Sequence, residues 1–466
     1  MSWRALPQSV DCRYFHKSEI IASLFFAFVG VLALLDLLHF LALTTMSATP
    51  VDNAARTAAL QSADRTPPHT PVAAQGDRQA KWLRQRVLSL KDFEALARRR
   101  LPKPLYAYVS GAVEDNLTLE QNRRSFEELA LRPRVLVGVS SRDLSFDLFG
   151  RKYSAPFGLA PMGVSALFAY RGDVVMAQAA CQASVPAVMS GSSLIRLEEV
   201  MEAAPGTWFQ AYLPGDMRQI EGLLARVAAA KVETLVITVD TPVAGNRENN
   251  IRAGFSTPLR PSAALAWQGI THPRWLLGTF ARTLVRHGVP HFENAYAHRG
   301  APIVSRNVER DFSDRAHFTW DHLTTIRRRW KGPLVVKGIL TAEDARAAQQ
   351  HGVDGIVVSN HGGRQLDSVI AAMRALPEVV DAVPHLPVML DSGVRRGTDV
   401  IKALALGARC VFIGRPFAYA AAVGARQGVA HGIDLMQAEI SRDLAMLGIT
   451  RATDVDAQCI YRTRSH

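Results

Sequence analysis

Cysteine is scarce: the 466 residues hold four, Cys12, Cys181, Cys410 and Cys459, with no CxxC pair among them. That spacing excludes a zinc knuckle and a disulfide framework, and a reducing compartment is the simpler setting for the main domain. The histidines show no regular metal-ligand spacing, so no metal is expected. Acidic residues are also in deficit, 42 against 54 Lys and Arg, which leaves a net charge of +12. Such an excess attracts phosphate, an anionic membrane surface or an acidic substrate, and by itself selects none of them. No recognition motif accompanies the basic residues, so nucleic acid is not an expected partner. Apolar residues are plentiful, 48% hydrophobic against 21% charged. This balance excludes wholesale disorder and a collagen-like repeat and supports a large core.

One apolar run stands apart at residues 20–43, uncharged as far as Leu35 and interrupted by Asp36 and His39. It is long enough to span a bilayer, and Arg4, Arg13 and Lys17 before it would hold that flank in the cytoplasm. No small-residue cleavage site follows, which favours a signal anchor over a cleaved signal peptide. In the alternative reading residues 1–46 are a mis-assigned start: translation begins at Met46 and residues 1–45 are not part of the protein. Residues 47–79 are rich in Ala, Thr, Pro, Asp and Gln, with Pro67 and Pro68 in the middle. They read as a disordered linker.

Residues 80–466 read as the folded domain. The stretch 89–100 (SLKDFEALARRR) opens on a capping-type Ser89 and puts Leu90, Phe93, Leu96 and Ala97 on one helical face. From Pro156 onward, eight short apolar runs alternate with helical patterns, at 157–161, 186–189, 208–213, 235–239, 334–336, 356–358, 388–390 and 411–413. One of the helical patterns, 341–350, starts with the capping box TAED and stops before Gly352. Buried strands alternating with helices predict an α/β fold, a (β/α)8 TIM barrel with N-terminal helices. An open doubly wound sheet is the competing arrangement.

Between the fourth and fifth runs lie roughly ninety residues, 241–333, far more than an ordinary connection, so a long insertion after strand 4 is expected. Within it, HPRWLLGTFARTLVRHGVPHF at 272–292 mixes Trp275, Leu276, Leu277, Phe280 and Leu284 with Arg274, Arg282 and Arg286. That mixture suits a membrane-surface segment, and equally an active-site lid with a buried face.

A barrel builds its active site at the carboxyl ends of its strands. Here the third run ends with Gln210 and Tyr212, the fourth with Thr238 and Asp240 followed by Arg247, and the fifth with Lys337. The sixth ends with Ser359, Asn360, His361 and Arg364, the seventh with Asp391, Ser392, Gly393 and Arg395, and the eighth with Gly414 and Arg415. Crowding these cations together is costly unless anions meet them, and two anions are implied. The glycines and arginines after the last two runs match the recurrent phosphate site of barrels. Arg247 and Arg364 suit a substrate carboxylate held by two-pronged contacts. His361 is then a candidate general base, with Asp240 to orient it and stabilise its protonated form.

Taken together, SNHGGRQLD (359–367), VKG (336–338), TVDTP (238–242) and RRGTDVIKALALGA (395–408) closely resemble the FMN-dependent 2-hydroxy acid dehydrogenase and oxidase family. The resemblance covers residues 89–462. It implies an FMN cofactor, oxidation of an L-2-hydroxy acid to the 2-oxo acid, and a homotetramer. It makes His361 the base and Asp240 its partner, and Arg364 and Arg247 the carboxylate clamp. Tyr108, in YAYVSGAVED, and Tyr212 would bond the substrate carboxylate and hydroxyl, and Lys337 would stand against flavin N1 and O2. Gln210 and Thr238 would contact the isoalloxazine. Asp391, Gly393, Arg395, Gly414 and Arg415 would hold the ribityl phosphate. Ala160, Pro161, Met162 and Gly163 would lie along one flavin edge, with Ser190, Ser359 and Ser392 completing the cofactor set.

The chain also departs from the family pattern. Met162 stands where many relatives carry Thr or Ser, Ser192 where some oxidases carry Trp, and Ser392 where Gly is common. Ala244 occupies a position often filled by Leu, which implies a roomier pocket and a substrate larger than glycolate. A membrane contact would favour a quinone or another respiratory acceptor, with oxygen as the oxidase alternative. The location expected is the cytoplasm or the cytoplasmic face of the inner membrane. A membrane-tethered barrel that binds a ligand without catalysis would lack catalytic groups, whereas His361, Arg364, Arg247, Asp240 and Lys337 are all present.

Overall fold

The structure is a computed structural model that describes residues 72–256, 262–305 and 314–462. The described residues fall into two units, 72–78 with 262–270, and 79–256 with 271–305 and 314–462. The apolar run at 20–43 and the alternative start at Met46 lie outside the described residues. In the smaller unit, a helix at Ala263–Ile270 carries no charged residue. A helix spanning Val72–Arg86 begins inside the stretch read as a linker. Its sequence, VAAQGDRQAKWLRQR, is dominated by Ala, Gln and Arg, all good helix formers.

In the larger unit, the helix Leu90–Arg100 starts where its cap predicts: the Asp92 carboxylate accepts the Ser89 backbone N–H at 2.9 Å. Its buried face is Leu90, Phe93 and Ala97. Two short antiparallel pairs frame the barrel. The strands β1 (Leu129–Leu131), β2 (Phe146–Leu148) and β3 (Arg151–Tyr153) precede it, β2 pairing with β3. The barrel strands are β4 (Phe157–Leu159), β5 (Val188–Ser190), β6 (Trp208–Ala211), β7 (Leu235–Thr238), β8 (Leu334–Ile339), β9 (Gly355–Val358), β10 (Val388–Leu390) and β11 (Cys410–Ile413). A last strand, β12 (Ile460–Arg462), pairs with β1.

The eight barrel strands correspond to the eight apolar runs. They run in the order β4-β11-β10-β9-β8-β7-β6-β5, every pair parallel. The circle closes between the ends of that series. The Leu159 N–H donates to the Pro186 carbonyl at 2.9 Å, and Leu159 bridges Ala187 in parallel. This closure excludes the open doubly wound sheet. β8 runs on to Ile339, so Lys337 sits within a strand instead of after one.

Alternate residues of a strand face opposite sides. In the barrel lumen, Val188, Trp208, Val236, Val335, Val357, Met389, Cys410 and Phe412 form one apolar cluster with Phe146, Leu148 and Tyr153 of the β2–β3 hairpin. The hairpin closes the amino ends of the strands, where Trp208 Nε1 donates to the Tyr153 hydroxyl at 3.1 Å.

The insertion after β7 is built of short helices. Pro273–Trp275, a π-turn at Leu276–Ala281 and Arg282–His287 follow one another, and a 3-10 turn at Asp314–His317 leads into the helix Trp320–Arg329. Both readings of 272–292 find part of their basis here. Trp275 is buried, its ring stacked on Phe280 and its Nε1 bonded to the Leu167 carbonyl at 2.7 Å. Leu277 and Val285 instead stand 57% and 62% exposed among the exposed Arg274, Arg282 and Arg286. Among the described residues, no helix is long and apolar enough to cross a membrane.

Candidate active site

The inward-facing series continues past the apolar layer. Two residues beyond Trp208, Val236, Val335, Val357, Met389 and Phe412 come Gln210, Thr238, Lys337, Ser359, Asp391 and Gly414. Two further on, Tyr212, Asp240, His361 and Gly393 follow. The strand period of two thus carries these side chains into the mouth in two polar tiers.

A cavity of about 510 Å³ opens there. Of the residues singled out by sequence, Tyr108, Ala160, Pro161, Met162, Tyr212, Thr238, Arg247, Lys337, His361, Arg364, Asp391, Ser392, Gly393, Arg395, Gly414 and Arg415 line it. Ser190, Gln210, Asp240 and Ser359 stand behind that lining and brace it. The Ser190 hydroxyl donates to Gln210 Oε1 at 3.1 Å, Asp240 holds His361, and Ser359 holds Lys337.

His361 has a left-handed backbone, φ +57°, followed by Gly362 and Gly363, also at positive φ. A side chain at Gly363 would press its Cβ to 2.8 Å from the Leu119 backbone nitrogen, so this turn requires glycine on two counts. The His361 N–H donates to the Ser359 hydroxyl at 3.0 Å. The imidazole Nδ1 is 2.9 Å from Asp240 Oδ1, and Nε2 is 3.4 Å from the Tyr212 hydroxyl. A carboxylate at Nδ1 requires a proton there, which leaves the Nε2 lone pair directed at the cavity. Burial pushes the His361 pKa below its ordinary value; Asp240 pulls it back in part, and Lys337 pushes the same way as burial. The ring is therefore neutral at neutral pH. Burial alone would raise the Asp240 pKa, but His361 and Lys337 outweigh it and hold the carboxyl below its usual range.

Lys337 Nζ donates to the Ser359 hydroxyl at 2.9 Å and lies 3.3 Å from Asp391 Oδ2 and 3.9 Å from Asp240 Oδ2. Burial works against its charge, yet the two carboxylates prevail and hold its pKa above the ordinary value. The arginines are held differently, by carbonyls. Arg364 donates to the Tyr108 and Gly111 carbonyls at 2.6 and 3.0 Å and lies over the Tyr108 ring. Arg415 donates to the carbonyls of Val109, Gly111 and Gly362 at 3.1, 2.9 and 2.9 Å. Burial brings Arg364 down to about 10 and Arg415 to about 9, so both stay charged at neutral pH. Arg247 donates to the Arg364 carbonyl and, at 2.5 Å, to Gln365 Oε1. These oxygens take part of each guanidinium's donors and leave the charge for an anion to neutralise.

The fit to FMN rests on buried polar atoms. Gln210 Nε2 and Thr238 Oγ1 are buried without a hydrogen-bond partner among the described residues. Each such atom costs about 1–3 kcal/mol unless a ligand meets it. Both belong to the cofactor set, and Arg395 and Arg415 line the same cavity with Gly393 and Gly414. The residues present fit a ligand with a polar ring system and a phosphate.

Residues 97–462 match the family model described as FMN-dependent dehydrogenase. The chain belongs to that family. It is an FMN-dependent 2-hydroxy acid dehydrogenase or oxidase, as the motif around His361 predicts. An L-lactate dehydrogenase of Ectopseudomonas mendocina (strain ymp) is 40% identical over 384 residues, covering 80% of this chain and 98% of the relative. An L-lactate dehydrogenase of Stenotrophomonas maltophilia (strain R551-3) is 41% identical over 377 residues, 78% of this chain and 96% of the relative. Among solved structures, that of the monotopic membrane protein (S)-mandelate dehydrogenase aligns with a TM-score of 0.74 at 34% identity, over 81% of this chain and all of the other.

Sequence reasoning missed three features of this FMN-dependent dehydrogenase. Asn122 and Asn360 exchange side-chain amide bonds, both at 2.8 Å, which ties the loop carrying His361 to the helix Leu117–Glu127. Ser392 adopts φ +78°, the conformation that makes glycine common there. Its hydroxyl donates to Asp391 at 2.8 Å and accepts the Gly362 N–H at 3.0 Å. The third is Arg315, which enters the cavity from the insertion. No strand end announces it, and the basic residues around it in the sequence gave no reason to single it out.

Proposed function

We propose that this FMN-dependent dehydrogenase oxidises an L-2-hydroxy acid of lactate size or larger and passes the electrons to a quinone or another respiratory acceptor. The observation that carries the reading is the His361–Asp240 pair, its Nε2 turned to Tyr212 and the cavity that Arg247 and Arg364 also line. The two guanidiniums and the Tyr108 hydroxyl hold the substrate carboxylate, and Tyr212 bonds its hydroxyl. His361, neutral because it is buried, takes a proton at Nε2, and Asp240 stabilises the imidazolium that results. FMN, when bound, supplies the two-electron acceptor, so that the substrate CH–OH loses two electrons and two protons and becomes C=O. Lys337, buried and charged, is the group to meet negative charge gained by the ring, with Gln210, Thr238, Ser190, Ser359, Ala160, Pro161 and Met162 around it. Arg395 and Arg415, with Asp391, Ser392, Gly393 and Gly414, are the groups to hold the phosphate.

The substrate size rests on Ala244, which lines the cavity with a single methyl group. The choice of acceptor rests on the exposed Leu277 and Val285 among arginines, a surface fit to lie on anionic lipid, and on the solved relative described as monotopic. A cytoplasmic membrane face and a homotetramer complete the reading.

Its test is the visible spectrum of the purified protein, recorded anaerobically before and after L-lactate, L-mandelate and a longer L-2-hydroxy acid. Bleaching of a flavin band is expected, together with slow oxygen consumption and fast reduction of an added quinone. A bound flavin that no 2-hydroxy acid bleaches overturns the substrate class. Oxygen uptake as fast as quinone reduction overturns the acceptor.

A further inference from the structure

A buried carboxylate stands behind one wall of the cavity, and the mechanism above makes no use of it. Asp173 is the second residue of the helix Gly172–Gln182 and is 4% exposed. Two buried serines donate to the same oxygen, Oδ2: the Ser193 hydroxyl at 2.7 Å and the Ser165 hydroxyl in a short bond. Ser193 Oγ also lies 3.3 Å from the Ile195 carbonyl, but its one proton goes to the nearer, charged acceptor. Asp173 lines a void of about 20 Å³ together with Ala160 and Met162, two residues of the cavity wall.

The two serines belong to the two loops of that wall. Ser165 follows the turn 162–164 after β4, and Ser193 follows Ser192 after β5; Met162, Gly163, Val164 and Ser192 all line the cavity. The loops meet in a backbone bond, from the Val164 N–H to the Ser192 carbonyl at 3.1 Å. Their other contacts reach further into the site. The Gly163 carbonyl accepts the Tyr108 hydroxyl at 3.5 Å. The Ser193 carbonyl accepts the Glu293 N–H at 3.2 Å, next to Phe292, which lines the cavity from the insertion. A carboxylate that takes both serine protons thus fastens the two loops to one helix, and through them bears on Tyr108 and the insertion.

Keeping that charge weakens the fold. Burial pushes the Asp173 pKa from 3.8 up to about 6; the two serines, its own backbone N–H and Arg171, itself paired with Glu199 at 2.6 Å, pull it back only in part. The folded state therefore holds this proton more tightly than the unfolded chain does. Stability is greatest below the ordinary value and is lost as the pH rises through about 6. A neutral side chain of the same shape would avoid that loss, so the carboxylate is no asset to the fold at neutral pH. Beside a site, such a group points to a task in the site.

We infer that Asp173 is a positioning residue for the oxidation: by holding Ser165 and Ser193 together, its carboxylate sets the wall of 160–164 and Ser192 against the bound substrate and FMN. The inference rests on the reading of the cavity given above and adds no step to the reaction.

The test compares the full-length holoenzyme with Asp173→Asn, Ser165→Ala and Ser193→Ala. Each is mixed anaerobically with L-lactate, L-mandelate and a longer L-2-hydroxy acid and melted at pH 8. Asn matches Asp in shape and stays neutral, so Asp173→Asn should melt no lower than the parent. Its limiting rate of flavin reduction per bound FMN should still fall by about tenfold or more through lost alignment, with the substrate Kd within about twofold, because Arg247 and Arg364 stand on other loops. Each serine variant should show the same split in milder form, which keeps the test decisive if Asp173→Asn does not fold. Adding Ser193→Ala to Asp173→Asn should slow reduction little further, since both break one clasp. Lower melting points with an unchanged rate per FMN would make Asp173 a support of the fold alone and overturn the inference. An unchanged limiting rate with a weaker Kd also overturns it, and leaves the broader reading standing. A parent that none of the acids bleaches overturns both.

Discussion

The two ends of the same eight strands obey one geometric rule and differ in everything else. At the amino end, the inward positions are Val188, Trp208, Val236, Val335, Val357 and Met389, closed off by the β2–β3 hairpin. At the carboxyl end, the same faces, two and four residues later, carry Gln210, Thr238, Lys337, Asp391, Tyr212, Asp240 and His361. The lower layer gains stability by excluding water and asks only for volume and shape. The upper layer sets buried charges side by side, leaves Gln210 Nε2 and Thr238 Oγ1 unsatisfied, and holds His361 and Ser392 in left-handed backbone. The comparison teaches that a barrel of this kind keeps its stability and its chemistry on separate floors, so changes to one should leave the other largely intact.

The largest effect expected tests the upper floor. Replacing His361 by Gln removes the Nε2 base while keeping a side chain that fits, and flavin reduction should slow by about 10²–10⁴-fold. The melting temperature and FMN content should hardly move. Rapid-mixing kinetics beside a thermal melt decide the matter, and a variant that reduces flavin at the parental rate removes the base from the mechanism.

The lower floor is tested by Trp208→Ala. Trp208 is 2% exposed and bonded to Tyr153, so truncation should cost about 3–5 kcal/mol of stability in a denaturant titration. Per mole of bound FMN, turnover should stay within about twofold, because the residue stands below the polar tiers. A turnover that collapses while the fold survives would mean that the two floors are coupled.

These two floors also explain what sequence could and could not deliver. The eight runs, the helix caps at Ser89 and Thr341, and the polar residues at each strand end are local patterns, set by a period of two or by spacing within a helix turn. They yielded the barrel, and the motif around His361 yielded the family. The Asn122–Asn360 exchange joins residues far apart in the chain, so no local pattern marks it. Arg315 comes from an insertion with no regular repeat, and its position over Tyr212 is set by tertiary packing. The linker reading failed at its end because Pro and Thr composition gives way to Ala, Gln and Arg near Val72, where helix propensity takes over.

The next effect is smaller and concerns pH. Burial lowers the His361 pKa, so the neutral form required of a base persists as the pH falls through the ordinary histidine value near 6.5. The activity it supports is fully present above its own pKa and is lost only below it. At pH 6.5, rate over Kd for flavin reduction should therefore retain more than about half its value at pH 8. An acid limb centred above 6.5 would show that Asp240, which favours the charged ring, dominates burial instead.

The smallest effect expected sits where the floors differ most in backbone. Ser392 at φ +78° pays roughly 1 kcal/mol or more in strain that glycine would not. Against that, its hydroxyl bonds Asp391 and receives the Gly362 N–H, contacts of about 0.5–1.5 kcal/mol each. Glycine also loosens the unfolded chain. The opposing effects nearly cancel, so Ser392→Gly should change stability by no more than about 1 kcal/mol in either direction. The informative readout is FMN affinity, since the hydroxyl links the turn after β10 to the turn that carries His361. Unchanged affinity would mean that the backbone shape alone serves the mouth. A weakened one would show that this chain has replaced glycine's freedom with a hydroxyl bridge between two strand ends, a device the apolar floor below has no use for.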